Sequence, residues 1–226
     1  MGESVNEMSV DAVDPTLSLS ERAYRLIRDR LVMLEIAPGS PINEERLAVS
    51  IGVGRTPMRE ALKRLEHERL VAVYPRRGTF ATDVNITDLA HISEVRQRLE
   101  PLAAATAATR ATAAERTALS ALAREAAATD SDLSSGPDRL MRLDLRIHRA
   151  LYVATHNPFL QDTLVSYDNL ATRIWCLFLE RLPGMAGHVR QHEPLIRAVV
   201  AGEPETAAAL ASAHVAHFEQ EVRSLL

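Results

Sequence analysis

The run IGVGRTPMREALKRLEHERLV, Ile51 to Val71, followed at once by AVYPRRGTFA, Ala72 to Ala81, carries the reading of the fold. Gly52-Val53-Gly54 reads as a tight turn, because glycine enters left-handed backbone at no steric cost. Thr56 is a good N-cap and Pro57 suits the first helical position, so the spacing predicts a helix from about Thr56 to Glu68. Its apolar face is Met58, Ala61, Leu62 and Leu65. Arg55, Arg59 and Lys63 are spaced by four and share the opposite face. Leu70 to Tyr74 and Thr79 to Thr82 are β-prone, and Pro75-Arg76-Arg77-Gly78 joins them as a basic hairpin.

Upstream, Ser20 is expected to cap a helix on which Ala23, Leu26, Ile27, Leu31 and Leu34 recur at helical spacing. Ala37-Pro38-Gly39-Ser40-Pro41 stops that helix and turns the chain, and Asn43 caps a short helix from Glu44 to Ile51. Helix, helix, turn, helix and hairpin is the order of a winged helix-turn-helix, expected over residues 19–82. On it Arg55, Thr56, Arg59 and Arg64 lie along the polar side of the third helix, where an arginine can pair with guanine in a major groove. Arg76 and Arg77 at the hairpin tip are placed for a phosphate or an adjacent groove. Charge alone reads equally well as a solvated face; the glycine turn, the Thr-Pro start and the basic wing together favour DNA.

The whole chain has 226 residues and a net charge of −4, a balance that taken alone speaks against nucleic acid. Divided along the chain the figure changes meaning. Residues 1–18 hold four acids and no base, −4; residues 19–82 hold twelve bases and eight acids, +4; residues 83–226 hold fourteen bases and eighteen acids, −4. The first 18 residues, polar and without periodicity, are expected to be a disordered acidic tail. They show neither the basic start nor the apolar core of a secretory signal. The single cysteine, Cys176, excludes a disulfide framework and a cysteine-based zinc finger. No apolar run is long enough for a membrane span, and a cytoplasmic protein is expected.

From Ile86 onward helical periodicity holds throughout, so residues 83–226 are expected to form an all-α bundle of six or seven helices. The chain as a whole is then mainly α. The expected helices are Asp88 to Ala108 (kinked or restarted at Pro101), Ala113 to Thr129 capped by Thr112, Asp138 to Thr155, one or two within Pro158 to Leu182, Val189 to Ala201, and Pro204 to Leu225. Asp130 to Pro137 is a polar break and Pro183 to Gly187 a loop. Fourteen alanines between residues 103 and 128 favour helix and permit close helix contact.

Asp144 and His148 stand four apart on an inward-looking helix face with Leu140, Leu151 and Tyr152. A carboxylate and an imidazole at that spacing suit a metal ion, and equally suit a simple hydrogen bond. Further on, His192 and His214 border apolar stripes. His188 and His192 are also four apart, and His214 and His217 three apart, so spacing alone chooses no ligand set.

The run from Ile51 to Val71 with PRRGTFA resembles the GntR family of bacterial transcription regulators. DLRIHRALYVATHNPFL (Asp144 to Leu160), HEPLIRAVVAGEPETAAALASAHV (His192 to Val215) and ISEVRQRLEPLAAATAA (Ile92 to Ala108) resemble the FCD ligand-binding domain of its FadR subfamily. The resemblance implies that Arg55, Thr56 and Arg59, with the wing around Arg77 and Gly78, meet DNA. It also implies that Asp144, His148, His192 and His214 hold a divalent metal, zinc first and nickel or another ion next. His188 and His217 then fall outside the ligand set. Arg96 matches an arginine suited to an effector carboxylate, a pair with Glu100 being the alternative. Two departures stand out. Glu45 occupies a position where the family often has arginine, which leaves Arg46 as a possible substitute contact. Arg69 occupies the position where a glycine usually ends the recognition helix.

The expected function is that of a homodimeric regulator, a repressor released by a small carboxylate bound at the metal, acting on double-stranded operator DNA. The rival readings are a metal-dependent enzyme acting on a small carboxylate, which would leave the DNA reader unexplained, and a DNA-binding protein without an effector.

Overall fold

The computed structural model describes residues 17–129, 136–179 and 185–225. It divides into two compact units: one ends at Leu31 and resumes over Glu35–Asp83, and the other comprises Val32–Leu34 and Val84–Leu226. Residues 1–16 of the expected tail over 1–18, and most of the expected break at 130–137, lie outside the described residues, while Ser18, the last residue of that tail, caps α1.

The first unit holds α1 (Leu19–Val32), β1 (Pro41–Ile42), α2 (Glu44–Ile51), α3 (Arg55–His67), β2 (Val71–Tyr74) and β3 (Gly78–Ala81). The strands form one antiparallel sheet in the order β1-β3-β2, with Pro41 opposite Phe80 and Val71 opposite Ala81. The two-residue β1 comes from the stretch read as a plain turn. Proline at its start fits an edge strand, where the missing N–H is not needed by a neighbour. Gly39 makes the approach possible: its φ is +72°, and a Cβ there would stand 2.8 Å from Asp83 Oδ1.

The helix starts follow local hydrogen bonding. Ser18, not Ser20, caps α1, its Oγ accepting from the Glu21 N–H at 3.1 Å. Asn43 caps α2 as expected, accepting from the Arg46 N–H at 2.9 Å, and Gly52 closes it in left-handed backbone. Gly54, not Thr56, is the N-cap of α3, with no side-chain cap bond, so Arg55 becomes the first helical residue. The end of α3 is a Schellman motif: the Leu70 N–H reaches the Leu65 carbonyl at 2.9 Å and the Arg69 N–H the Glu66 carbonyl at 3.0 Å. Leu65 and Leu70 are both fully buried beneath it. The motif needs left-handed backbone at its second-last residue, and Arg69 supplies it at φ 61°. That conformation costs a side-chain-bearing residue about 1–2 kcal/mol.

The second unit begins with a single 3-10 turn, Ile86–Asp88, and holds α4 (Leu89–Arg110), α5 (Ala113–Ala127), α6 (Pro137–Val153), α7 (Pro158–Cys176), α8 (Met185–Arg190), α9 (His192–Ala201) and α10 (Pro204–Arg223). Thr112 and Glu115 form the capping box that starts α5. Asn157 caps α7 ahead of Pro158. The helix α4 passes through Pro101 as one helix, without the expected restart. Met185 to Gly187, read as loop, instead begin α8, and Gln191 separates that helix from α9.

Helix α4 packs along α10. Buried small residues on both, Ala103, Ala104, Ala107 and Ala108 against Ala207 and Ala211 on the partner helix, allow close axes. Gln97 and Ser212 tie the pair twice, at 3.2 and 3.0 Å. Arg116 on α5 gathers the ends of two helices. Its guanidinium donates to the Val199 and Val200 carbonyls of α9 and the Ala108 carbonyl of α4, each at 2.7 Å. All three carbonyls lie in the last turn of their helices, the negative end of the helix dipole, so a cation there is well placed.

Arg69→Gly is expected to stabilise the first unit by about 1 kcal/mol, because glycine takes the left-handed position without strain. Calorimetry of the full chain reads this; an unchanged or lower transition would mean that the Arg69 side chain offsets the backbone cost.

Candidate nucleic-acid interface and metal centre

Helix α3 is anchored by Met58, Ala61, Leu62 and Leu65, all buried, so its other face is presented outward. On that face Arg55, Thr56, Arg59 and Lys63 are exposed. Arg59 makes no ion pair among the described residues. Arg55 meets Glu45 of α2 at 3.0 Å, with both side chains about four-fifths exposed (83% and 79%). Exposed pairs of this kind contribute little stability, so DNA phosphates can compete for Arg55. Arg46 is exposed on α2 beside them.

Arg64 is placed differently from the other expected readers. It pairs with Glu21 at 2.8 Å and Glu68 at 3.4 Å, and lies 3.6 Å above the Tyr24 ring. It braces α3 against α1. At the wing, Pro75 to Gly78 are all exposed, and Arg76 and Gly78 have positive φ. Arg77 lies 5.7 Å from the Tyr74 and Phe80 rings, which steady its guanidinium at the hairpin tip.

In the second unit, α6, α8, α9 and α10 converge on one buried carboxylate. His192 Nε2 lies 2.7 Å and His188 Nε2 3.4 Å from Asp144 Oδ1. His214 completes the group, its ring 4.2 Å from that of His192 and 4.3 Å from that of His188. The donor atoms of Asp144, His188, His192 and His214 all lie within 4.8 Å of one another. Two ligands on opposite sides of one ion stand about 4.2 Å apart, so this is the spacing that a single metal requires. Gln191 Oε1 reaches His214 Nδ1 at 3.3 Å, which orients that ring.

His148 stands next to this group rather than inside it. Its Nε2 is 3.9 Å from Asp144 Oδ2. Its Nδ1 meets the Tyr152 hydroxyl at 3.1 Å and Glu100 Oε2 at 3.6 Å. The Tyr152 hydroxyl in turn donates to Glu100 at 2.6 Å. Arg96 donates twice to Glu100, at 3.0 and 2.8 Å, and lies 3.3 Å from Asp168. Of the two readings of Arg96, the pair with Glu100 is the one present. Glu100, His148 and Asp168 also approach metal-ligand spacing, but the Arg96 guanidinium already supplies the cation there.

His188, expected to lie outside the site, is 3% exposed and among the donors; His217 is partly exposed and pairs with Glu221 at 3.2 Å. The four-residue spacing of His188 and His192 was the sequence signal for it. Spacing could not show that α8 would bring both rings to Asp144.

Burial in the bundle shifts every ionisable group of the centre. It would raise Asp144, but the imidazoles of His188 and His192 and the charge of His148 hold it well below the usual carboxylate range. Burial pushes His188 down to about 4 and His192 and His214 down as well, so these three are neutral near pH 7 and ready to ligate. Burial would lower His148 too, yet Asp168 and Glu100 raise it to about 9. Burial opposes the ionised form of Glu100, and Arg96 overcomes it, holding the carboxyl near 2. The donor set of neutral imidazoles and one carboxylate fits a borderline divalent ion such as zinc, nickel or cobalt better than magnesium or calcium. The Nδ1 atoms of His188 and His192 and both amide atoms of Asn169 are buried with no hydrogen-bond partner among the described residues.

A winged helix-turn-helix with an exposed cationic helix, carried on one chain with a helical bundle, defines a DNA-binding transcriptional regulator. The gntR family of bacterial regulatory proteins matches residues 19–81, and the FCD domain matches residues 91–217. The chain therefore belongs to the GntR family of transcriptional regulators, with an FCD domain as its C-terminal part. It is 23% identical to the HTH-type transcriptional repressor RspR of Escherichia coli K12 over 94% of this chain and 92% of that one. It is 28% identical to the galactonate operon transcriptional repressor of the same strain over 71% and 77%. The solved structure of E. coli McbR/YncC shares the fold at a TM-score of 0.76, with 20% identity, over 92% of this chain and 97% of that one. These relatives are regulators rather than enzymes. No helix among the described residues is long and apolar enough to cross a membrane.

Because His148 carries a proton in the metal-free chain near pH 7 and must lose it to ligate, metal uptake is expected to release about one proton per chain. Calorimetric titration in buffers of different ionisation enthalpy measures this; binding heats that do not depend on the buffer would remove His148 from the ligand set.

Proposed function

We propose that the protein is a homodimeric repressor whose affinity for operator DNA is set by a small carboxylate bound at a divalent metal in the FCD domain. The observation that carries the reading is the convergence of Asp144, His192 and His214, each from a different helix, with His148 beside them. All four are buried in the helical bundle. An ionised carboxylate is taken out of water at a cost of several kcal/mol unless it is matched by charge and hydrogen bonds. A metal supplies that match. Asp144, His148, His192 and His214 would hold it, and when bound it would offer a Lewis-acid position to an effector oxygen.

His148 has the outer support that metal-bound histidines usually have: its second nitrogen faces Tyr152 and Glu100, which Arg96 in turn positions. An effector carboxylate would reach Arg96 only by displacing Glu100 or Asp168. That the galactonate of one relative's operon is itself a carboxylate agrees with this class of effector. Two DNA-binding units in a dimer place one α3 per half-site of a pseudo-palindrome. Arg55, Thr56 and Arg59 read or position the groove, Arg46 and the wing residues Arg76, Arg77 and Gly78 hold flanking backbone, and Arg64 supports α3 from behind. Effector binding shifts the dimer between geometries of different operator affinity, which requires that it bind the two unequally. The site of action is the cytoplasm, where the DNA is.

Arg59→Ala is expected to weaken operator binding by roughly 1–3 kcal/mol if the guanidinium reads a base. Glu45→Ala, by contrast, frees Arg55 and should tighten binding at low salt. Gel-shift or anisotropy titrations test both, and unchanged affinity in Arg59→Ala removes that residue from the reading set. His214→Ala should abolish metal uptake and any response to carboxylates while basal DNA binding persists. Loss of basal binding as well would make the metal a structural element rather than part of a switch.

A further inference from the structure

We propose that His188 is a fifth protein ligand of the metal, which leaves an octahedral ion one position for an effector. The inference rests on the metal reading above and adds to it a residue outside the ligand set that the resemblance implies.

His188 approaches Asp144 from a wall of the site different from that of His148. Its ring lies 4.3 Å from Trp175 and 6.2 Å from Phe218. The His148 ring lies 5.7 Å from Tyr152, on the side of Glu100. Both rings nonetheless border one space, since each lies against His214 (4.3 Å for His188, 5.4 Å for His148) and His192 (5.9 and 4.8 Å). His188 Nε2 is 3.4 Å from Asp144 Oδ1, closer than the 3.9 Å of His148 Nε2 to Oδ2. It belongs to the set of donors within 4.8 Å of one another. The chain makes a separate short helix, α8, that carries this ring, and breaks at Gln191 before His192 begins α9. The nitrogen of His188 that faces the site is Nε2. Its Nδ1 is buried with no partner among the described residues.

Four imidazoles and one carboxylate make a nitrogen-rich set that suits nickel, cobalt or zinc. With Asp144, His148, His188, His192 and His214 in place, the ion accepts one effector oxygen. A chelating effector that offers two oxygens must displace one imidazole. His188 is the one to yield: its second nitrogen lacks the support that fixes His148 and His214, and its Nε2 lies 3.4 Å from Asp144 Oδ1 against 2.7 Å for His192.

The test uses the full chain, stripped of metal and titrated with Co2+. In the Co2+-loaded wild type, each histidine ligand gives one strongly shifted, solvent-exchangeable imidazole N–H proton resonance. One of these resonances is expected to show a nuclear Overhauser effect to the Trp175 ring, which only His188 among the candidate ligands touches. That measurement needs no variant. His188→Gln should remove that resonance, change the visible Co2+ bands and weaken Co2+ binding by roughly tenfold or more, while one ion per chain is still taken up. His217→Gln, at the partly exposed histidine, should leave all three readouts unchanged. A Co2+-loaded wild type with no shifted resonance near Trp175, or a folded His188→Gln with an unchanged spectrum and affinity, overturns the role of His188 and leaves the metal reading intact. A wild type that takes up no Co2+ overturns both.

Discussion

The bundle depends on one constraint: Asp144 is a carboxylate buried within a helical core. An ion in that setting is tolerated only when opposite charge and hydrogen bonds surround it. The neighbouring helices answer that demand. Three imidazoles arrive on α8, α9 and α10, and a fourth comes from the turn below on α6. Behind His148 the balance continues through Tyr152 and Glu100 to Arg96, and from Arg96 to Asp168 on α7. Charges alternate along this chain of contacts, so each group fixes the protonation of the next. A metal would replace the His148 proton as the main cation facing Asp144, and so couples ligand binding to the positions of four helices.

The alanine-rich surfaces of α4 and α10 serve the same centre. Small side chains let those helices pack closely, which places Arg96 and Glu100 within reach of groups on α6, α7 and α10. Arg116 then closes the far ends of α4 and α9 by collecting carbonyls of their last turns. In the first unit the corresponding constraint is the buried face of α3. Once Met58, Leu62 and Leu65 are anchored and Arg64 is fastened to Glu21 and Tyr24, the remaining cations of α3 face solvent. A chain with a net charge of −4 can therefore carry a DNA reader, because only the charge of that local face meets DNA phosphates.

Much of the molecule was legible in advance, for reasons that lie in particular residues. Helix α2 was readable to its bounds because Asn43 and Gly52 are strong start and stop signals. The capping box of Thr112 and Glu115 did the same for the start of α5. The strained Arg69 was legible as a side-chain-bearing residue at a position where the backbone turns left-handed. The start of α3 was misplaced by one residue, since Thr56 looks like a cap but Gly54 provides the extended backbone that precedes the helix. Strand β1 was missed because two residues carry no periodicity; it exists only through pairing with β3. Arg64 read as part of a cationic face, although Tyr24 and Glu21 tie it to α1.

The sequence by itself determined the order of elements, the cationic face of α3, the basic wing, the helical nature of the second unit and the family to which both units belong. These follow from spacing, caps and motifs, all of which act over a few residues. Only the tertiary structure decided which titratable groups share one environment. Asp144 meets His188 and His192 across more than forty positions, and Arg96 meets Asp168 across more than seventy. Such pairings depend on how α4, α6, α7, α8, α9 and α10 pack around a common interior, and no local pattern encodes it. His188 and Arg96 therefore changed their reading most: burial and neighbours, rather than residue type, set what an imidazole or a guanidinium can do.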